Sequence, residues 1–166
     1  MDYEFFMSKA LDEAQRAIST GEFPVGCVMV YENKVLVTGA RHRSAPGDQN
    51  ELDHAEMLAL RRLVDLEQRI DREKVALFST LEPCLMCYAA LIVNGIRRIV
   101  YAYEDVMGGG TNLDLKKLNP FYKDMEITVM PGILRQESLQ LFKSFFSEPN
   151  NNYLKGSLLA RYTLEQ

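Results

Sequence analysis

Apolar residues recur at intervals of three and four near the start of the chain, and this spacing predicts an amphipathic helix over residues 3–18. Gly21 predicts the end of that helix, because glycine is common just past a helix terminus. An apolar strand follows and runs through Val30. The polar segment Glu32–Lys34 then turns the chain into a second strand, Val35–Thr38, so that the two strands form a hairpin.

From residue 54 onward, helical and strand patterns alternate. They predict a helix from His54 to about Leu66, a buried strand at Val75–Ser79, a helix from Pro83 to Asn94, a strand at Arg97–Tyr103, a short helix near 112–118, a strand at Glu126–Met130 and a helix at Ile133–Phe146. Successive strand–helix–strand steps predict right-handed crossovers and parallel pairing. We therefore expect an α/β domain of three layers, α/β/α, with a mixed sheet of about five strands.

Composition adds limits to this picture. The chain has 166 residues, 47% of them apolar and 25% charged, which suits one globular domain. We expect that domain to span residues 1–147, with residues 148–166 as a tail or helix packed on it. No segment is long and apolar enough for a membrane span, and the acidic N-terminus lacks the basic region of a signal peptide. Three cysteines without a disulfide framework indicate a cytoplasmic protein.

The candidate chemistry lies in two short segments, His54-Ala55-Glu56 and Pro83-Cys84-Leu85-Met86-Cys87. A catalytic zinc ion needs three protein ligands and one open position for water. His54, Cys84 and Cys87 supply one imidazole and two thiolates, and they predict one Zn²⁺ per chain. Asp53 and Pro83 suit the first positions of two helices, whose dipoles would stabilise the thiolates. Glu56 is then the acidic group placed to move protons without binding the metal.

Less specific interpretations of the same residues exist. Glu56 could merely complete a capping box begun by Asp53. The Cys84-x-x-Cys87 pair could be a redox dithiol or half of a structural zinc site. A redox pair has no need of the upstream His-x-Glu, and a structural site would need a fourth ligand. Catalytic zinc is the interpretation that accounts for all four residues together.

His-x-Glu followed by Pro-Cys-x-x-Cys is the signature of zinc deaminases. Over about residues 3–146 the chain resembles the cytidine and deoxycytidylate deaminase superfamily, and within it the tRNA adenosine deaminase branch. The resemblance implies a cytidine-deaminase-like fold and a hydrolase that releases ammonia from an amino-bearing nucleobase, with Glu56 as the catalytic proton carrier. It also implies a homodimer, with Met86, Tyr88 and Leu91 as candidate interface residues.

The resemblance further implies which residues contact the substrate. Gly-Glu-x-Pro-Val-Gly and the segment before Cys84 line the family's pocket, and an acidic residue lies beside the substrate. The corresponding residues are Pro24, Val25, Leu81, Glu82, Pro83 and Asp105. His42 stands near a family Asn that binds the substrate, within the polar loop 39–50. It is a substrate contact, a solvated loop residue or a fourth ligand, although a fourth ligand would close the water position.

The chain departs from the family at residues that bear on the size of the substrate. Glu104 and Met107 replace basic residues of the pocket rim, and Asn50–Asp53 stands where the family has Asp-Pro-Thr-Ala. The net charge of −4 gives no general attraction for nucleic acid. We therefore expect a small nucleoside or free base as the substrate. The alternative is adenosine-to-inosine deamination in the anticodon loop of tRNA.

Overall fold

The computed structural model describes residues 1–44, 47, 50–67 and 69–166. Within these ranges the strands are β1 Gly26–Tyr31, β2 Lys34–Ala40, β3 Ala76–Leu81, β4 Arg98–Tyr103 and β5 Thr128–Met130. The α-helices are α1 Tyr3–Ser19, α2 Ala55–Val64, α3 Leu85–Val93, α4 Pro120–Lys123, α5 Arg135–Ser147 and α6 Leu158–Glu165. Positions 45, 46, 48 and 49 of the predicted polar loop lie outside the described residues.

The strands form one mixed sheet in the order β2-β1-β3-β4-β5. The β1–β2 hairpin is antiparallel, β1 also pairs antiparallel with β3, and β4 pairs parallel with both β3 and β5. The predicted hairpin and mixed five-stranded sheet are therefore confirmed. The α2 crossover joins strands of the same direction that do not pair, because β1 lies between β2 and β3.

Alternating side chains along the strands give the sheet two apolar faces. Val28 and Val30 of β1 pack in the cluster that α1 covers, whereas Cys27 and Met29 point into the cluster that contains α2 and α3. Helix α5 packs beside α1 and against β4. Helices thus cover both faces, and the three-layer α/β/α class is confirmed.

The two helices that carry the candidate chemistry begin later than the sequence predicts, α2 by one residue and α3 by two. His54 is the N-cap of α2 and Cys84 is the N-cap of α3, both with extended backbone angles. The Asp53 carboxylate accepts a hydrogen bond from the Asn50 side chain instead of capping a helix. The capping-box interpretation of Asp53 and Glu56 is therefore wrong.

The C-terminal segment contains a helix, whereas the sequence pattern does not decide between a tail and a helix there. Helix α6 packs on α5, and the buried Thr163 hydroxyl lies 3.1 Å from the Tyr103 hydroxyl of β4. Near residues 112–118, where a helix is predicted, there is one 3₁₀ turn, Leu115–Lys117, before the four-residue α4. In the described part of the chain no helix has the length and apolarity to cross a membrane.

Candidate active site

The N-termini of α2 and α3 bring the three predicted metal ligands together. His54 Nδ1 lies 3.6 Å from Cys84 Sγ and 3.5 Å from Cys87 Sγ. The ligand atoms of the three residues all fall within 4.8 Å of one another, as is required for a shared metal ion. The predicted ligand set is confirmed as an arrangement that can hold a metal.

The surroundings of Cys84 favour the thiolate form that binds a metal. A hydrogen bond from Cys87, aided by one from His54, lowers the pKa of Cys84 to about 4 although burial opposes this shift. The same hydrogen bond and burial raise the pKa of Cys87. One imidazole and two cysteine sulfurs form the donor set of a catalytic zinc site. The residues therefore fit Zn²⁺.

Glu56 lies beside this ligand set at the start of α2 and is 3% exposed. Its Oε1 accepts a 2.8 Å hydrogen bond from the Ser79 hydroxyl on β3, and its Oε2 lies 3.7 Å from Cys87 Sγ. Burial raises the pKa of the Glu56 carboxyl. A carboxyl with a raised pKa, held on one side and facing a ligand set on the other, is suited to accepting and returning a proton.

A cavity of about 180 Å³ opens onto the metal ligands. His54, Glu56 and Cys84 line its inner end. Its remaining walls are contributed by the N-terminal half, the β4 loop and the C-terminal segment: Phe23, Val25, Arg41, Glu51, Ala55, Leu81, Glu82, Asp105, Met107, Gly108, Tyr153, Leu154 and Leu159. Apolar side chains beside several converging charged groups are typical of a ligand-binding site.

Two predicted substrate residues in this wall also organise the rim. Glu82 accepts hydrogen bonds from the backbone N–H groups of Asp105 and Thr111, and Asp105 accepts from those of Met107 and Gly108. A Cβ atom on Gly109 would lie 2.5 Å from the Glu82 carboxylate. Glycine is therefore required at this position because the Glu82 carboxylate approaches its backbone so closely.

The other five predicted substrate residues differ in whether they reach the cavity. Val25 and Leu81 line the cavity, whereas Pro24 and Pro83 are buried behind it, where their carbonyl oxygens accept hydrogen bonds from Thr80 and Gly110. His42 is exposed and is not among the described residues that line the cavity.

Sequence reasoning missed three residues of the site, Arg41, Glu51 and Tyr153. Arg41 is buried and donates hydrogen bonds to Glu51 and Tyr153, which both line the cavity. A buried arginine in a polar loop gives no local sequence signal, and Tyr153 lies 102 positions from Glu51. Ser79 was placed in the correct strand, but its contact with Glu56 was not anticipated.

Comparison with known families agrees with this geometry. Residues 1–103 match the model of the cytidine and deoxycytidylate deaminase zinc-binding region. The chain belongs to this deaminase family. The match includes every metal ligand and Glu56, so the deaminase is a zinc-binding member of the hydrolases that remove amino groups from nucleobases.

Individual relatives extend the comparison to most of the deaminase. A tRNA-specific adenosine deaminase of Bacillus subtilis is 31% identical over 147 residues, covering 87% of this chain and 89% of that protein. The tRNA-specific adenosine deaminase 2 of Danio rerio is also 31% identical, covering 91% of this chain and 73% of that protein.

Solved structures share the fold. A tRNA:A34 deaminase superposes with a TM-score of 0.64 and 28% identity, covering 82% of this chain and 98% of that one. The guanine deaminase of Nitrosomonas europaea superposes with a TM-score of 0.66 at 22% identity, covering 86% and 83%. The second likeness concerns the fold alone.

Proposed function

We propose that this deaminase converts adenosine to inosine in the anticodon loop of a tRNA. The observation that carries the proposal is the similarity to tRNA-specific adenosine deaminases, which extends over 87% of this chain in the Bacillus subtilis relative. This similarity favours the tRNA alternative over the small substrate that sequence reasoning put first.

The chemistry follows from the side chains around the cavity. A zinc ion held by His54, Cys84 and Cys87 would lower the pKa of a bound water molecule and so activate it as the nucleophile. Glu56 takes a proton from that water and delivers it to the ring nitrogen beside the carbon under attack. It then takes the second proton from the hydroxyl now bonded to that carbon and passes it to the amino group, so that the C–N bond breaks, the carbonyl forms and ammonia leaves. Ser79 keeps the carboxylate turned toward the metal ligands throughout, and Val25 and Leu81 offer apolar surfaces to the base.

One charge that argued against RNA is neutralised in the fold. Glu104 accepts a 2.8 Å hydrogen bond from Arg135 Nε and a 2.7 Å hydrogen bond from the Tyr162 hydroxyl. These contacts lower the pKa of Glu104 to about 2, with Arg135 as the largest cause. The rim therefore presents an ion pair at this position and not an isolated negative charge, which weakens the electrostatic objection to a polyanionic substrate.

A second candidate function, deamination of a free nucleobase or nucleoside, is favoured by a different observation. Tyr153, Leu154 and Leu159 of the C-terminal segment form one wall of the cavity. A wall supplied by the chain's own tail suits a small substrate enclosed on several sides. An extended RNA loop needs a side of the cavity that remains open.

The experiment offers the zinc-loaded enzyme two kinds of substrate. An anticodon stem-loop RNA with adenosine at the wobble position is assayed for inosine, beside a panel of free bases and nucleosides assayed for ammonia. The Glu56→Ala variant controls for contaminating deaminases. We expect inosine in the RNA and negligible ammonia from the panel. Ammonia from the panel without inosine in the RNA would instead establish the second candidate.

We also propose that the enzyme is a homodimer in the cytoplasm, where both zinc-binding thiols stay reduced. Two of the interface residues expected from the sequence, Tyr88 and Leu91, are instead buried within the chain. Leu85 and Val93 on the same helix are 55% and 49% exposed and are better placed for a partner. Light scattering at micromolar concentration tests this; a monomeric mass would contradict it.

A further inference from the structure

The zinc ligand His54 has a carboxylate on the side of its ring that faces away from the thiols. Its Nδ1 faces Cys84 and Cys87, and its Nε2 lies 3.4 Å from Glu51 Oε2. An imidazole that binds a metal through Nδ1 carries its proton on Nε2 and can donate it. Metal-binding histidines commonly donate this second N–H to a carboxylate, which orients the ring and strengthens its donation to the metal.

Glu51 is held in place although its side chain is 61% exposed. Arg41 Nη2 donates a 3.0 Å hydrogen bond to the same oxygen, Oε2, and the Tyr153 hydroxyl donates a 3.2 Å hydrogen bond to it. The Arg41 side chain is 2% exposed, so this guanidinium is a fixed anchor with little freedom to follow solvent. An exposed carboxylate with these two donors has lost most of its rotational freedom.

The backbone before α2 aims Glu51 at the ring. The Asn50 side-chain oxygen accepts hydrogen bonds from the N–H groups of Leu52 and Asp53, which closes a tight turn over residues 50–53. Arg41 also donates a 2.8 Å hydrogen bond to the Asn50 carbonyl oxygen. These contacts fix the backbone from which the Glu51 side chain extends toward the His54 ring.

We infer that Glu51 is a positioning residue for the zinc ligand His54, and that Tyr153 of the C-terminal segment helps to hold it. Glu51 accepts the Nε2–H proton, fixes the ring plane and raises the affinity of the site for zinc. Arg41 and Tyr153 act through Glu51 and touch no ligand themselves. Zinc affinity does not depend on which base is deaminated, so the inference stands or falls independently of the proposed tRNA substrate.

The test measures zinc affinity by competition with a chromophoric chelator. The proteins compared are the parent, Glu51→Ala, Glu51→Gln, Tyr153→Phe and Glu137→Gln, the last altering an exposed glutamate of α5 as the matched control. Removing a carboxylate behind a metal-binding histidine typically costs about 10–100-fold in metal affinity. We expect that loss for Glu51→Ala, a smaller loss for Glu51→Gln, whose amide still accepts a hydrogen bond, and the smallest for Tyr153→Phe. Glu137→Gln should match the parent.

The Co²⁺ absorption spectrum, and the melting temperature together with KM, separate a role of Glu51 in positioning His54 from a role in stability or in substrate binding. In the Co²⁺-substituted proteins the visible absorption bands should shift for Glu51→Ala and not for Glu137→Gln. Zinc affinity within twofold of the parent for Glu51→Ala would overturn the inference. This holds even if the variant lowers the melting temperature of the zinc-free protein, which would show a purely structural role, or raises KM, which would show a substrate contact. If Glu51→Ala does not fold because Arg41 is left uncompensated, Glu51→Gln decides by the same criterion.

Discussion

At the scale of single residues, the hydrogen bond from Ser79 fixes the orientation of Glu56, the proposed proton carrier. The serine lies on the buried strand β3 and spans 23 positions of sequence to reach the carboxylate. It occupies Oε1, which leaves Oε2 facing Cys87 and the metal ligands. A carboxylate fixed through one oxygen offers the other in a constant direction, and such preorganisation lowers the cost of each proton transfer.

Ser79→Ala should reduce kcat by about 10–100-fold, because a buried hydrogen bond to a charged group contributes about 1.5–3 kcal/mol and about 1.4 kcal/mol is tenfold in rate. KM should change little. Ser138→Ala is the matched control, since the Ser138 hydroxyl donates a buried 2.7 Å hydrogen bond to the Thr80 carbonyl oxygen and touches no catalytic group. Steady-state kinetics of both variants check this; an equal loss of kcat in the control would contradict it.

Glu56→Gln should retain zinc and lose about 10²–10⁴-fold in kcat, because the amide cannot carry the proton. Cys87→Ala should instead lose the metal, because it removes one of three ligands. Elemental analysis of both purified variants beside their turnover separates the two roles. Near-normal turnover by a zinc-loaded Glu56→Gln enzyme would refute the role of Glu56.

These residue-scale roles differ in how far they could be predicted. His54 and Glu56 lie in one short segment and the two cysteines in another, so local spacing carries their chemistry. Glu51 acquires its role through Arg41 and Tyr153, which no local pattern connects. His42 offered the more familiar chemistry, yet the fold leaves it exposed.

At the scale of elements, α6 is fastened to the end of β4 by polar contacts. The Glu104 carboxylate accepts hydrogen bonds from Arg135 of α5 and from Tyr162 of α6. The Thr163 hydroxyl of α6 is hydrogen-bonded to the Tyr103 hydroxyl. The helix was predicted only as a tail or packed helix, because its short apolar run Leu158–Ala160 gives a weak pattern. These contacts are what position the C-terminal wall of the cavity.

The Glu104 contacts give the protein a defined pH dependence. The pKa of Glu104 is about 2 in the folded chain against an ordinary value of 4.5. Its stabilisation is therefore complete above about pH 4.5 and is lost as the pH falls toward 2. We expect Glu104→Gln to lower the free energy of unfolding by about 1–2 kcal/mol at pH 7.

The difference between parent and Glu104→Gln should shrink steadily below pH 4.5, and urea unfolding at pH 7, 5 and 3 measures it. Comparing two proteins that share the zinc site cancels the acid sensitivity of the metal ligands. Glu137→Gln should show no pH-dependent difference. A Glu104→Gln difference that stays constant down to pH 3 would contradict the assigned pKa.

At the scale of the whole molecule, the metal site joins the two helices that cross one face of the sheet. His54 begins α2 and Cys84 begins α3, and these helices otherwise share few contacts. A ligand that binds only the folded state stabilises it, by about 2.7 kcal/mol at a concentration one hundred times its Kd. Zinc should therefore add to the stability of the fold as well as to its chemistry.

Removing zinc with a chelator should lower the melting temperature by several degrees, since about 1 kcal/mol shifts a domain of this size by roughly 2–4 °C. Restoring zinc should restore it. Thermal unfolding followed by circular dichroism makes the measurement, and Cys87→Ala should respond to neither treatment. An unchanged melting temperature in the parent would mean that the site adds nothing to the fold.

The contact between Glu51 and Tyr153 has a consequence for the order in which the enzyme matures during synthesis. A ribosome makes the zinc ligands, Glu56 and the whole sheet before it makes Tyr153, which reaches 102 positions back along the chain to Glu51. A nascent chain can therefore assemble the metal site while one wall of the cavity and one support of Glu51 are still missing. We expect full activity to appear only after α6 has left the ribosome and docked on α5.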